Sequence, residues 1–169
     1  TDSMARKDSL NLSLVMNLKK SLAGINSDDV NIEVKKGVVF ISLSDKMLFR
    51  TASANINDKA GMVLEKIAKV VNDHKDINIL VEGHTDNVPM ANDCVADNWD
   101  LSTKRATAVV QVLQKKYGVN PTRMTAGGRS EYDPKSANET SDGRKTNRRT
   151  EIIILPQLDQ FFKLIAPQG

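Results

Sequence analysis

Apolar residues recur with two different periods along this chain, and the order of those periods constrains its fold more than any other feature. Alternation of apolar and polar residues, which is typical of half-buried strands, occurs at residues 30–34 and 77–81. Apolar residues three or four apart, which indicate amphipathic helices, occur at residues 57–71 and 98–116. A β-branched run at residues 150–155 predicts a last buried strand. Strands and helices therefore alternate through most of the chain.

The first strands form a predicted hairpin. Residues 30–34 lead into a turn at Lys36-Gly37, and residues 38–43 form the return strand. Leu48-Phe49 is expected to extend this hairpin into the main sheet, and residues 123–126 to add a short strand. The whole order predicts an α/β sandwich, with a mixed β-sheet and helices packed on one face. Its βαβαββ core is preceded by a helix and a β-hairpin.

Three parts of the chain are expected from this organisation. Residues 1–29 form an N-terminal helix and linker, residues 30–155 form the main domain, and residues 156–169 form a tail or short helix. Within the first part, residues 8–23 carry leucine at every fourth position, and Gly24 ends the helix. We expect this leucine stripe to pack against the domain. The alternative is pairing with a helix of a second subunit, which would give a homodimer.

Charge and composition narrow the functional classes. The formal net charge of +3 and the pI of about 9.0 permit an anionic partner without identifying it. The single cysteine, Cys94, excludes an internal disulfide and a cysteine-based zinc cluster. Aromatic residues, at 4%, are sparse for a domain that stacks on nucleic-acid bases. Because the chain starts at Thr1 and not at Met, we expect an upstream segment that would hold any export signal or membrane anchor.

Arg105 does not fit a plain amphipathic helix. On a helical wheel, at about 100° per residue, it falls in the apolar arc between Leu101 and Val109. Burial of an unpaired guanidinium is costly, so this side chain needs a carboxylate or a similar partner. Arg105 therefore pairs within the protein, reaches out at the edge of the core, or serves a ligand.

Asp86 supplies the candidate carboxylate. The strand ends at Gly83, and Asp86 follows just before the connection to the Arg105 helix, where α/β folds usually place their sites. The two side chains could face one pocket and hold a zwitterion, with Asp86 at the ammonium and Arg105 at the carboxylate. Asn98 is expected to cap the helix, whose free N–H groups would favour the same carboxylate. His84 is interpreted as a support for the turn that carries Asp86.

Four motifs follow one another along the chain. They are Gly83-His84-Thr85-Asp86, Asn98-Trp99-Asp100-Leu101-Ser102-x-x-Arg105-Ala106, Gly127-Gly128 and Asn147-Arg148-Arg149-Thr150-Glu151-Ile152. Together they resemble the OmpA-like peptidoglycan-binding domain, a family that includes the C-terminal domains of OmpA, the Pal lipoproteins and the flagellar stator protein MotB. The resemblance covers roughly residues 38–155, and the long segment 87–97 is most similar to the MotB type.

This resemblance implies a function and a set of binding residues. In the family, the Asp after His-Thr and the Arg of Leu-Ser-x-x-Arg hold diaminopimelate of the stem peptide, and these positions correspond to Asp86 and Arg105. Further contacts are implied from Thr85, Asn98, Leu101 and Arg148. The implied partner is peptidoglycan with meso-diaminopimelate, bound without catalysis, cofactor or metal. The implied location is the periplasm, with the missing N-terminal segment attached to the outer or inner membrane.

Three alternative functions have weaker support. A wall-remodelling hydrolase would need an activated nucleophile, and Ser102 lies within a helix without a nucleophile-elbow motif. A nucleic-acid binder could use the basic run at residues 144–149, but that run has no interleaved aromatic residues. A metal site could form from Glu82-His84-Asp86, but no further His or Cys is near in sequence. The long polar loop at residues 127–147 is expected to carry function.

Overall fold

The computed structural model describes residues 2–51 and 53–156 of the chain, with the side chains of residues 12–51 and 53–155. The helices are α1 (Asp2–Ser21), α2 (Asp45–Leu48), α3 (Asp58–Asp73), α4 (Asn98–Lys115) and α5 (Ser141–Asn147). The strands are β1 (Val30–Lys35), β2 (Val38–Ser44), β3 (Ile77–His84), β4 (Met124–Gly128) and β5 (Arg149–Pro156). None of the helices in this part of the chain has the length and apolar character of a membrane span.

The strands of the described residues form one mixed sheet, in the order β1-β2-β5-β3-β4. β3 and β4 are parallel, and the other neighbouring pairs are antiparallel. β5, the last strand in sequence, lies at the centre, where Ile152 pairs with Ile41 on one side and Val81 on the other. All three side chains are fully buried. The predicted α/β class with a mixed sheet is therefore confirmed.

The hydrophobic core lies between one face of the sheet and helices α1, α3 and α4. Helix α3 buries the apolar face that its residue spacing predicts. Leu14 and Leu18 of α1, and Leu22 directly after it, enter the same core, and each is at most 6% exposed. Packing of the leucine stripe against the domain is thus confirmed for these residues, while the Leu10 side chain lies outside the described part. Pairing with a second subunit stays a prediction.

The prediction that Leu48 and Phe49 extend the hairpin into the main sheet is wrong. Ser44 caps the short helix α2 at this point, where its Oγ accepts a hydrogen bond from the Met47 N–H at 3.3 Å. Phe49 then forms an isolated bridge with Ile56. Leu48 and Phe49 are both buried, so their apolar character reflects the core and not a strand. A serine directly before the segment is the stronger local signal, because it favours a helix start.

The polar segment at residues 127–147, predicted as an irregular loop, contains helix α5. Thr140 caps this helix by accepting a hydrogen bond from the Gly143 N–H at 2.9 Å. The helix has no apolar period in its sequence, which is why hydrophobic spacing could not reveal it. Asn147, at its end, is fully buried and fixes the loop by bonding the backbone of Lys135 and Ser136. Of the predicted tail at residues 156–169, Pro156 instead ends strand β5, and residues 157–169 lie outside the described residues.

Helix α4 packs closely on the ends of β3 and β4 because glycines face it. A Cβ on Gly83 would lie 2.9 Å from the carbonyl carbon of Ser102 and nearer still to its oxygen. A Cβ on Gly128 would lie 2.5 Å from the Ser102 hydroxyl. That hydroxyl is fully buried and accepts a hydrogen bond from the Ser130 N–H at 3.1 Å. The glycines of the sequence motifs thus bring the first turns of α4 onto the strand ends, beside Asp86.

Candidate functional site

One cleft at the end of the central strands contains all of the residues predicted to bind a ligand. It has a volume of about 740 Å³ and lies between α2, the segment after β3, α4 and α5. Its walls include the predicted side chains from separate parts of the chain: Thr85, Asp86, Asn98, Leu101, Arg105 and Arg148. A second cleft of about 500 Å³, between α3 and α4, contains none of these six residues.

Arg105 lies in this cleft with its guanidinium paired inside the protein. Nη1 donates to the Asp45 carboxylate, and Nε donates to the Ser53 carbonyl at 3.0 Å. The guanidinium carbon lies 4.9 Å from the centre of the Phe49 ring. Burial, at 5% exposure, lowers the pKa of Arg105, and the charge of Asp45 opposes that shift. Among the alternatives that the sequence left open, internal pairing is confirmed, and the partner is Asp45, not Asp86.

Asp86 is held in a fixed orientation by the turn that follows β3. Its Oδ1 accepts a hydrogen bond from the Val88 N–H at 3.0 Å, and its Oδ2 lies 2.7 Å from Nη1 of Arg148. Thr85 ties the turn to the segment after β4, because its N–H donates to the Ser130 carbonyl at 2.9 Å. The Asp86 side chain is 9% exposed. A ligand that reaches this carboxylate must therefore share it with Arg148 or displace the Arg148 guanidinium.

Asn98 does not cap helix α4 as predicted. The cap is Asp97, whose Oδ1 accepts a hydrogen bond from the Asp100 N–H at 2.8 Å. An aspartate suits this position because it satisfies a free N–H and complements the helix dipole. Asn98 instead donates from Nδ2 to the Val88 carbonyl at 3.1 Å, which holds the segment after Asp86 against the helix. Its Oδ1 is buried without a hydrogen-bond partner among the described residues, so it is an acceptor that a ligand could use.

Asp45 is the acidic residue of the cleft that the sequence did not lead us to predict. Burial raises the pKa of Asp45, while the charges of Arg105 and Arg148 lower it. Its N–H also donates to the Arg148 carbonyl at 3.2 Å, so α2 and the start of β5 are joined here. Asp45, Arg105, Asp86 and Arg148 therefore form one compact group of alternating charges. The sequence does hold a signal for Asp45, because it is a carboxylate directly after a strand, β2, as Asp86 is a carboxylate just after β3.

His84 does not support the Asp86 turn as predicted. Its fully buried side chain lies on the sheet face opposite the core, where Nε2 is 2.9 Å from Oε1 of Glu82. Asp133 also reaches this place, and the ligand atoms of Glu82, His84 and Asp133 all lie within 4.8 Å of one another. The group with metal-ligand spacing is therefore Glu82–His84–Asp133, and Asp86 takes no part in it.

We expect this group to hold no divalent metal. Arg129 lies 3.8 Å from the Asp133 carboxylate, and Lys135 and Arg149 bind the neighbouring Glu151 at 3.2 and 2.7 Å. Arg129 thus pairs with one carboxylate of the group, and these three cations nearby would repel a dication. A chelator such as EDTA should therefore leave the melting temperature unchanged in a thermal scan followed by circular dichroism. If EDTA lowers the melting temperature and added Zn²⁺ restores it, the group binds a structural metal.

The basic run at residues 144–149 does not form a continuous basic surface. Arg149 is buried and pairs with Glu151 at 2.7 Å, on the sheet face opposite the core. Arg148 and Lys145 instead border the cleft. Nucleic-acid binding needs positive charge gathered on one face, so the division of this run between the cleft and the sheet face opposite the core disfavours that alternative.

The fold and the cleft define an α/β sandwich domain with a charged cleft at the carboxyl end of a central strand. The OmpA family model matches residues 48–148, which is more than half of the chain. The chain therefore belongs to the OmpA family.

Known proteins with similar sequence or structure agree with this membership. Motility protein B of Bacillus subtilis is 32% identical over 119 residues, which cover 70% of this chain and 46% of that protein. The cell wall anchor of the T6SS from Pseudomonas aeruginosa is 34% identical, with a TM-score of 0.75, over 83% of this chain and 97% of that one. The periplasmic domain of Helicobacter pylori MotB is 25% identical, with a TM-score of 0.71, over 86% and 94%. The chain spans about half the length of the curated relatives it matches.

Proposed function

We propose that this domain binds peptidoglycan without cleaving it and anchors a longer envelope protein to the cell wall. The observation that carries the proposal is the single cleft in which Asp86 and Arg105 lie with four further residues of the family motifs. Relatives described as a cell wall anchor and as a periplasmic domain support the wall as partner and the periplasm as location. We assign binding to residues 30–155, with residues 1–29 as the connection to a membrane-attached part.

A zwitterion is the ligand chemistry that suits the cleft. The free end of meso-diaminopimelate carries an ammonium and a carboxylate on one carbon atom. Asp86 would accept hydrogen bonds from the ammonium, and Arg105 would donate to the carboxylate. The buried Oδ1 of Asn98 offers the ammonium a second acceptor. Leu101, at the wall of the cleft, supplies an apolar contact for the methylene chain of the ligand.

Binding in this cleft requires an exchange of ionic partners. Within the protein, Asp86 pairs with Arg148, and Arg105 pairs with Asp45. A ligand ammonium at Asp86 would release Arg148, and the ligand carboxylate could then lie between Arg105 and Arg148. Because these charges already have partners, the free energy of binding is only the difference between the ion pairs formed with the ligand and those broken within the protein. Such an exchange favours moderate and reversible affinity, which suits a domain that must release and rebind the wall.

Sedimentation with purified diaminopimelate-type sacculi tests the proposal. The wild-type protein should sediment with the sacculi, and Asp86→Asn and Arg105→Lys should each weaken binding by about tenfold. Each change removes a charge-assisted or bidentate contact, and hydrogen bonds to charged groups contribute about 1.5–3 kcal/mol. Asp73→Asn and Lys69→Arg are the matched controls, because both residues are exposed on α3 and lie outside the cleft.

Two results would count against the proposal. Variants of Asp86 and Arg105 that keep the wild-type circular dichroism spectrum and still sediment like the wild type would contradict the assigned site. Release of soluble fragments from the sacculi during the same incubation would favour the wall-remodelling hydrolase.

A further inference from the structure

The cleft carries more positive charge than a zwitterion can use. Its walls hold six lysine or arginine side chains and two aspartates. The aspartates pair with Arg105 and Arg148, which leaves four cations in excess. A zwitterionic group has no net charge, so its binding leaves this excess unchanged. A concave surface with one sign of charge favours a ligand that carries further groups of the opposite sign.

Three of the excess cations are exposed at the edge of the cleft. Lys46 lies on α2, Arg50 follows Phe49, and Lys145 lies on α5. These three side chains, here called the cationic rim, make no ion pair or hydrogen bond with any residue that the structure describes. Arg144, by contrast, donates from Nη1 to the Asn138 carbonyl at 2.8 Å. The rim is thus the part of the cleft whose charge is available to a ligand.

We propose that the cationic rim binds a second carboxylate of the stem peptide, the free carboxylate of the D-glutamate that precedes diaminopimelate. This inference rests on the proposed function. The glutamate is joined to diaminopimelate through its side-chain carboxyl, so its main-chain carboxylate is free and charged. Nine covalent bonds separate the glutamate Cα from the diaminopimelate carbon that carries the bound ammonium and carboxylate, so the two anionic groups lie about 10 Å apart in an extended ligand. The cleft of about 740 Å³ is large enough for both residues at once.

The rim makes the domain sensitive to the chemical state of the wall. Amidation of the glutamate carboxylate removes its negative charge and leaves Lys46, Arg50 and Lys145 without an anion. Exposed ion pairs are individually weak, so we expect the free carboxylate to be preferred by about fivefold. Because salt screens exposed charges, the preference should shrink as ionic strength rises.

Calorimetry with two soluble muropeptides tests this inference. The two ligands are identical except that the glutamate carboxyl is free in one and amidated in the other. The wild type should bind the free form about fivefold more tightly at low salt. A triple variant, Lys46→Gln with Arg50→Gln and Lys145→Gln, should bind both forms equally. A control triple variant removes the same charge from exposed positions of α1 and α3 and should keep the preference: Lys20→Gln, Lys59→Gln and Lys69→Gln.

The outcomes separate this inference from the proposed function. If the wild type binds both muropeptides equally, and Asp86→Asn still weakens binding, the rim inference is overturned while peptidoglycan binding stands. A preference that survives in the rim variant overturns the rim inference too, because other residues must then recognise the carboxylate. Binding of neither muropeptide overturns both proposals.

Discussion

Replacement of Gly83 by alanine should lower the free energy of unfolding by about 3 kcal/mol and the melting temperature by about 10 °C. The added Cβ would lie 2.9 Å from the carbonyl carbon of Ser102 and nearer still to its oxygen. These are backbone atoms of α4, so no side chain can rotate away to make room. Relief of the clash requires the helix to move off β3, and this separates Arg105 from Asp86 as well as loosening the core.

Gly127→Ala is the matched control for this prediction. Gly127 lies on β4, and a Cβ there would meet only the Leu80 side chain, at an ordinary contact distance of 3.8 Å. The stability of the Gly127→Ala variant should stay at the wild-type level or rise slightly, because alanine reduces the conformational freedom of the unfolded chain. Urea unfolding followed by circular dichroism measures both variants. Equal midpoints for Gly83→Ala and Gly127→Ala would show that the close approach of α4 is not needed.

Much of the fold could be predicted because its elements bury apolar faces. Five apolar residues of α3 share one helical face in the sequence, and all are buried: Ala60, Val63, Leu64, Ile67 and Val71. Strand β5 corresponds to the β-branched run at residues 150–155. Elements without such a face could not be predicted in this way. Helix α5 is polar throughout and forms because Thr140 caps it and Asn147 holds its end. Leu48 is buried at the end of helix α2 and Phe49 in an isolated bridge, and two adjacent apolar residues alone do not distinguish this arrangement from a strand.

In the candidate site, the residues that stand out in their local sequence could be predicted, and the pairing of residues far apart in sequence could not. Asp86 and Arg105 could be found because a charge at a strand end and a charge on an apolar helix face are local anomalies. Asp45 could not be assigned to Arg105 in this way, since the two residues are 60 positions apart and come together only in the folded sheet, where β5 lies between β2 and β3. The cap of α4 was misplaced by one residue because Asp97 and Asn98 are both good capping residues.

The pairing of Arg105 with Asp45 changes what recognition of the wall must involve. A ligand without a carboxylate does not leave Arg105 as an isolated buried charge, because Asp45 remains its partner. The preference for a ligand with a carboxylate therefore comes from the hydrogen bonds that this carboxylate accepts from Arg105. Arg148 can add to the preference after the ligand ammonium has displaced it from Asp86. Hydrogen bonds to charged groups contribute about 1.5–3 kcal/mol, so the expected preference is about 30-fold.

Calorimetry with two soluble stem peptides tests the zwitterion account most directly. One peptide carries meso-diaminopimelate at its third position, and the other carries lysine, which keeps the amine but lacks the carboxylate on the same carbon. The wild type should bind the diaminopimelate peptide about 30-fold more tightly, and Arg105→Lys should remove most of that preference. Equal affinity of the wild type for the two peptides would contradict the account, because Arg105 would then serve the fold through Asp45 and not the ligand.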